Sequence, residues 1–113
     1  MNKLTIPALA AAFLALGATP RLSADAKDNW TTSCKNCHGP DGAGHTKAGR
    51  MKGVKDFTDA KYQQGFTDVE AAKRIKEGLK DADTGKEKMK AFGDKYSDAE
   101  IKALVDYVRT FQK

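Results

Sequence analysis

Cys34, Cys37 and His38 stand within five residues, Cys34-Lys35-Asn36-Cys37-His38, and the two cysteines are the only ones in the chain. Two thiols three positions apart fall on neighbouring positions of one face of a short helix, where each can add across a vinyl group of the same porphyrin. An imidazole directly after the second thiol is then carried under the ring, where it can ligate iron; this is the c-type haem attachment pattern. Other chemistries fit less well. A thioredoxin-like pair needs a βαβ setting, and no convincing strand run precedes Cys34. A zinc site drawn from Cys34, Cys37, His38 and His45 would force the adjacent Cys37 and His38 onto one ion. A structural disulfide would tolerate any residue after the second cysteine, and it stands as the next reading.

Iron bound by His38 needs a sixth ligand or an open position, and the downstream candidates are His45, Met51 and Met89. Met89 is assigned here. It lies in the polar stretch Gly85 to Gly93 between two predicted helices, where a thioether has little packing to do, and a loop before a terminal helix can fold over the far face of a ring. Met51 follows His38 by 13 residues and reads as a residue lining the haem pocket, with ligation the lesser option. His45, seven residues beyond His38, would have to cross the ring edge in very little chain and reads as a surface imidazole. Met/His ligation raises a haem's reduction potential relative to bis-His.

These residues need helices to hold them. Ser97-Asp98-Ala99-Glu100 is a capping box with Tyr96 and Ile101 placed as its hydrophobic staple. Ile101, Leu104, Val105, Val108 and Phe111 then form one apolar face, with Lys102, Asp106 and Arg109 on the other. A second capping box, Thr67-Asp68-Val69-Glu70, opens a shorter helix whose Val69, Ala72 and Ile75 share a face and which Gly78 ends. Asp56 to Gln64 can hold another turn or two, and Asp28 can cap a first helix that carries Trp30 toward Cys34 and packs it on Leu104 or Tyr107. Gly39-Pro40-Asp41-Gly42-Ala43-Gly44 reads as tight turns that wrap chain around a flat ring, not as a phosphate loop, since the flanking strand and helix are missing.

The N-terminus has the three parts of a secretory leader: Lys3, an uncharged apolar run from Leu4 to Ala18, and small residues that permit a cut after Ala26 or, second, after Ala24. The run is short for a membrane span. Residues 1–26 are therefore expected to be removed, leaving residues 27–113 as one domain in an oxidising compartment, the periplasm. That remainder has 18 basic and 14 acidic residues, a net +4. The charges are interleaved and aromatic residues make up only 8% of the whole chain, which is unlike a nucleic-acid binder. At 87 residues a core of side chains alone is marginal, and a cofactor would complete it.

Taken together, the residues resemble the small, exported, monohaem class I c-type cytochromes of bacteria. Cys34-x-x-Cys37-His38-Gly39-Pro40-Asp41-Gly42 is similar to that family's attachment site and following turn, Met89-x-Ala91-Phe92 to its sixth-ligand loop, and Ser97-Asp98-x-Glu100-Ile101-x-x-Leu104-Val105-x-Tyr107-Val108-Arg109 to its terminal helix. The resemblance implies an all-α fold, three to five short helices around one covalently bound haem c, with the ring edge exposed. Many relatives have Pro after the ligand Met, where this chain has Lys90. The function implied is that of an electron carrier, not an enzyme, with His38 and Met89 on iron. It would be a monomer that exchanges electrons with redox proteins and neither binds nucleic acid nor inserts in a membrane. Lys35, Lys47, Lys52, Lys86, Lys88 and Lys90 flank the haem-bearing segments and suggest a basic rim for acidic partner surfaces. The alternative is a haem-based sensor or small-ligand binder with a labile sixth ligand.

Overall fold

The computed structural model describes residues 22–113; the expected leader lies outside the described residues up to position 21. Six helices follow one another: α1 (Leu22–Ser33), α2 (Lys35–His38), α3 (Lys47–Lys52), α4 (Ala60–Gln63), α5 (Asp68–Glu77) and α6 (Asp98–Arg109). The helical architecture agrees with the sequence, with one helix more than the three to five expected because α2 and α4 are single turns of four residues each.

Helix α1 starts earlier than Asp28, which therefore lies exposed inside the helix and does not cap it. Ala26, Trp30 and Cys34 recur every four residues and are all buried, giving one narrow apolar stripe. That stripe packs on α6, whose Ile101, Leu104, Val105 and Val108 are buried as the periodicity requires. Both capping boxes are formed: Thr67 and Ser97 each accept from the backbone N–H three residues on, while Glu70 and Glu100 reach back to the N–H groups of Thr67 and Ser97. Tyr96 and Ile101 are both in the core cluster, as a staple places them.

Helix α5 also lies on α6, and runs antiparallel to it: Asp68 near its start meets Arg109 at 2.9 Å, while Lys76 near its end meets Asp98 at 3.0 Å. Ala71, Ala72 and Ile75 face the core, but Val69 is 80% exposed. It does not share the buried face, because six residues from Ile75 its side chain has turned about 120° away around the helix.

The polar stretch after α5 is not a plain loop. Leu79–Lys80 (β1) and Glu87–Met89 (β2) pair antiparallel into a small ribbon. Its turn is organised by Asp81, whose carboxylate accepts from the Asp83 and Thr84 backbone N–H groups at 2.9 Å each, and Gly85 closes it at a φ of +69°. Those two donors hold the exposed Asp81 carboxyl below its usual range.

Candidate haem attachment site

Cys34 occupies the break between α1 and α2, where its N–H still bonds the Trp30 carbonyl and its own carbonyl accepts from His38 N–H, both at 2.9 Å. The sequence Cys34 to His38 thus continues the helical path, and this brings both thiols and the imidazole onto one short piece of chain. Both cysteines are free; Cys34 is buried and Cys37 half-buried. Burial pushes the Cys34 thiol up to about 11, with the positive charge of Lys95 acting in the opposite direction.

Four residues outside the motif fix its position. The Trp30 indole N–H donates to the Gly39 carbonyl at 2.9 Å, so the tryptophan read as a core residue also locks the turn after His38. Its ring packs on Tyr107 at 5.8 Å, as expected, and on Phe111 at 4.9 Å. The Thr46 hydroxyl donates to the Cys37 carbonyl at 3.0 Å and accepts from Gly49 N–H at 2.8 Å, capping α3 and tying it to α2 in one step. Gly49 passes so close to the Cys37 and Gly44 carbonyls that no side chain fits there. Gly42 needs its φ of +73° and would drive a Cβ to within 2.6 Å of the Phe111 ring.

The His38 ring stacks on Phe57 at 5.0 Å and 19°, and lies 5.6 Å from the Trp30 indole. Phe57 is placed by its N–H to the Gly42 carbonyl, and its carbonyl accepts from the Gln63 side-chain amide at 2.8 Å. Burial lowers the His38 pKa, which keeps the ring in the neutral form that can ligate metal. Its Nδ1 is buried and has no hydrogen-bond partner among the described residues. A buried nitrogen without a partner costs about 1–3 kcal/mol. A neutral, unpartnered imidazole beside two free thiols fits the donor set of a c-type haem.

Met89 comes from a different element. It ends β2, half-buried, opposite Leu79. Gly78, at φ +77°, lets the strand pass: a Cβ there would lie 2.6 Å from the Met89 carbonyl oxygen. Beyond it, Phe92 N–H bonds the Ile75 carbonyl at 2.9 Å and Gly93 N–H the Lys76 carbonyl at 3.0 Å, strapping the segment to the end of α5. Met51, read as lining a haem pocket, is 78% exposed on α3 and lines a cleft beside α2. Position 51 is on the outer side of a helix whose inward contact is made by Gly49. His45 is exposed, as expected.

Arg109, placed by periodicity on the solvated face of α6, is in fact half-buried. Its guanidinium donates to the backbone carbonyl and Oε1 of Gln63 and to the Phe66 carbonyl, and lies 4.2 Å from the Phe66 ring centre. Gln63, 2% exposed, completes this joint by donating to the Val108 carbonyl at 2.9 Å.

A cleft of about 630 Å³ lies on the other face of α2. Lys35 and Asn36 line it, together with Pro40 and residues of α3 including Ala48 and Met51; neither thiol nor His38 does.

Comparison with known proteins supplies the context. A family model described as "Cytochrome c" matches residues 23–112. Among solved structures, the KustC0563 c-type cytochrome has a TM-score of 0.70 and 36% identity, over 79% of this chain and 99% of that one. A single-substitution variant of the same cytochrome has a TM-score of 0.67 and 35% identity, over 78% and 99% of the two chains. No curated protein matches.

Proposed function

The chain belongs to the cytochrome c family, a family of haem-based electron carriers, and from that premise we propose an exported one-electron shuttle in which Cys34 and Cys37 hold haem c and His38 and Met89 ligate its iron. The observation that carries this reading is the neutral, unpartnered His38 imidazole set directly after two free thiols on one pinned turn. When bound, the haem supplies a ferric/ferrous couple.

The protein's own residues then do three things. The Trp30, Thr46 and Gly49 contacts fix the backbone that carries His38, so the histidine ligand need not move when the charge on the metal changes. Met89 offers a soft sulfur that favours the ferrous state and closes the position a small ligand would use. The six lysines at 35, 47, 52, 86, 88 and 90 are all exposed and bias encounter toward acidic redox partners.

For export, the packing of Ala26 favours a cut after Ala24 over one after Ala26, because Ala26 is 1% exposed in α1 and belongs to the folded unit. No helix among the described residues is long and apolar enough to cross a membrane.

The test is the optical spectrum of the mature protein made with haem-attachment machinery, oxidised, then reduced with and without carbon monoxide. The expected result is a c-type spectrum with the weak far-red methionine-to-ferric band and no response to the gas, and Met89→Ala should open the iron and lower the potential. A Soret shift under the gas in the unmodified protein would replace the carrier by a ligand-binding or sensing function. A colourless product would leave only the disulfide reading.

A further inference from the structure

We infer that Lys52 is a positioning residue for Met89: its side chain latches the strap that carries the proposed sixth ligand onto the helix that is tied to the cysteine motif. The inference rests on the carrier reading with Met89 on iron, and deepens it by naming what holds the methionine side closed.

Lys52 is the last residue of α3, and its Nζ donates to the Glu87 carbonyl, 35 positions along the chain, at 3.3 Å. That carbonyl lies in β2, two residues before Met89. Among the described residues no other hydrogen bond or ion pair joins positions 79–93 to any residue before α5. The remaining backbone bonds of the ribbon and strap run within that segment or to the last turn of α5. Without Lys52, hydrogen bonding would anchor the strap on α5 alone.

The α3 end of the latch is firm. Thr46 donates to the Cys37 carbonyl, Gly49 packs against that same carbonyl, and Gly53 closes α3 at a φ of +66° with its N–H on the Arg50 and Gly49 carbonyls. Lys52 therefore extends from a helix whose position is set by the histidine side. The ribbon end is adjustable. Leu79 pairs with Met89 and Lys80 with Glu87, so Lys88 is an extra residue on β2, a bulge immediately before Met89. A bulge interrupts the ladder, bends its strand and re-aims the side chains beside it. The Lys52 bond falls on the residue before this bulge, where one added contact fixes the direction in which β2 continues to Met89. Its acceptor is a main-chain oxygen, not the Glu87 carboxylate, so the latch acts on the path of the backbone and does not depend on the side chain at position 87. The bond is exposed and its net contribution is that of one ordinary hydrogen bond. It tunes how often the strap lifts without holding the fold together.

The experiment titrates the ferric holo-protein with imidazole as the neutral base, so that loss of a lysine charge does not alter its approach, and follows the far-red methionine band. Lys52→Ala should raise the apparent imidazole affinity about fivefold, the size of one lost hydrogen bond. Lys52→Arg, which keeps a donor, should stay within about twofold of the unmodified protein, as should Glu87→Gln and the control Lys55→Ala. The denaturant midpoint should not move with Lys52→Ala, which distinguishes a latch from a general loss of stability. An unchanged imidazole affinity in Lys52→Ala overturns the inference. So does an equal effect of Glu87→Gln, which would put the contact on the carboxylate, or a fall in denaturant midpoint that accounts for the whole change in affinity, which would make Lys52 a structural residue only. The band itself separates the two levels: if the unmodified protein has it, these failures reject only the latch, whereas its absence takes Met89 off iron and rejects the methionine ligation together with the latch.

Discussion

Around His38 the chain is held by buried side chains reaching across the fold; around Met89 it is held mainly by backbone bonds, helped by the Asp81 carboxylate in the turn and by the exposed Lys52 side chain on the Glu87 carbonyl. The histidine side has the Trp30 indole on Gly39, the Thr46 hydroxyl on Cys37 and aromatic rings on two sides of the imidazole. The methionine side has a ribbon of a few residues, exposed apart from Met89, and carbonyl bonds to the last turn of α5. Buried side-chain contacts cost several kcal/mol to lose, whereas exposed backbone bonds near a ribbon open locally at little cost. The difference teaches that the proposed histidine ligand is set by the core and the proposed methionine ligand by a strap. The two sides should therefore respond differently to the same kind of mutation.

The strongest way to break the comparison is at Trp30. Trp30→Ala should lower the unfolding free energy of the holo-protein by about 3–5 kcal/mol, read from a denaturant melt followed in the Soret region. A loss below about 1 kcal/mol would mean that the core does not hold the histidine side. Gly78→Ala comes next, at about 1–3 kcal/mol for an alanine forced to positive φ with an extended ψ. Its distinctive effect should be on the strap: the far-red methionine band weakens while the protein stays folded, and an unchanged band would show that Met89 does not depend on this crossing.

Smaller still, Thr46→Val removes one cap and one bond to the Cys37 carbonyl, and should cost about 1 kcal/mol without altering the methionine band. The mildest test is acid. Glu100 is held below its usual carboxyl range chiefly by the Ser97 backbone N–H, then by the Ser97 and Asn29 side chains. A depressed carboxyl contributes stability above its unfolded pKa, near 4.5, and that contribution is lost as pH falls through the lower folded value. Glu100→Gln should therefore flatten the stability profile below about pH 4.5, and identical profiles for the two proteins would remove the capping box as a source of acid sensitivity.

The features legible in the sequence are those that depend on neighbours along the chain. The two capping boxes, the buried stripe of α6, the glycine turn after His38 and the Cys34-Cys37-His38 constellation are all written within a few residues of one another. The features that escape it join distant positions. Gln63 and Arg109 lie 46 residues apart, and an arginine opposite an apolar stripe looks solvated until the α4–α5 connection is seen to fold onto it. The ribbon is hidden because no periodicity marks strands of two and three residues; Asp81 and two positive-φ glycines shape it. The packing of α3 is hidden because nothing local shows that Gly49 takes the inward position on it. The start of α1 is hidden because its first residues also look like the end of a leader.

The pairing of α1 with α6 has a consequence for the order of events during the protein's production. Residues near position 26 find their packing partners only after residue 101 and its successors exist, so a loop of some seventy residues must close before the core forms. Until the last helix is delivered, Cys34 lacks the Ile101, Leu104 and Val108 part of the cluster that buries it. Once the helix docks, Cys34 is 8% exposed and close to unreactive. For the haem attachment proposed at Cys34, the interval between synthesis of the motif and arrival of the final dozen residues is thus the time when the thiol is most accessible.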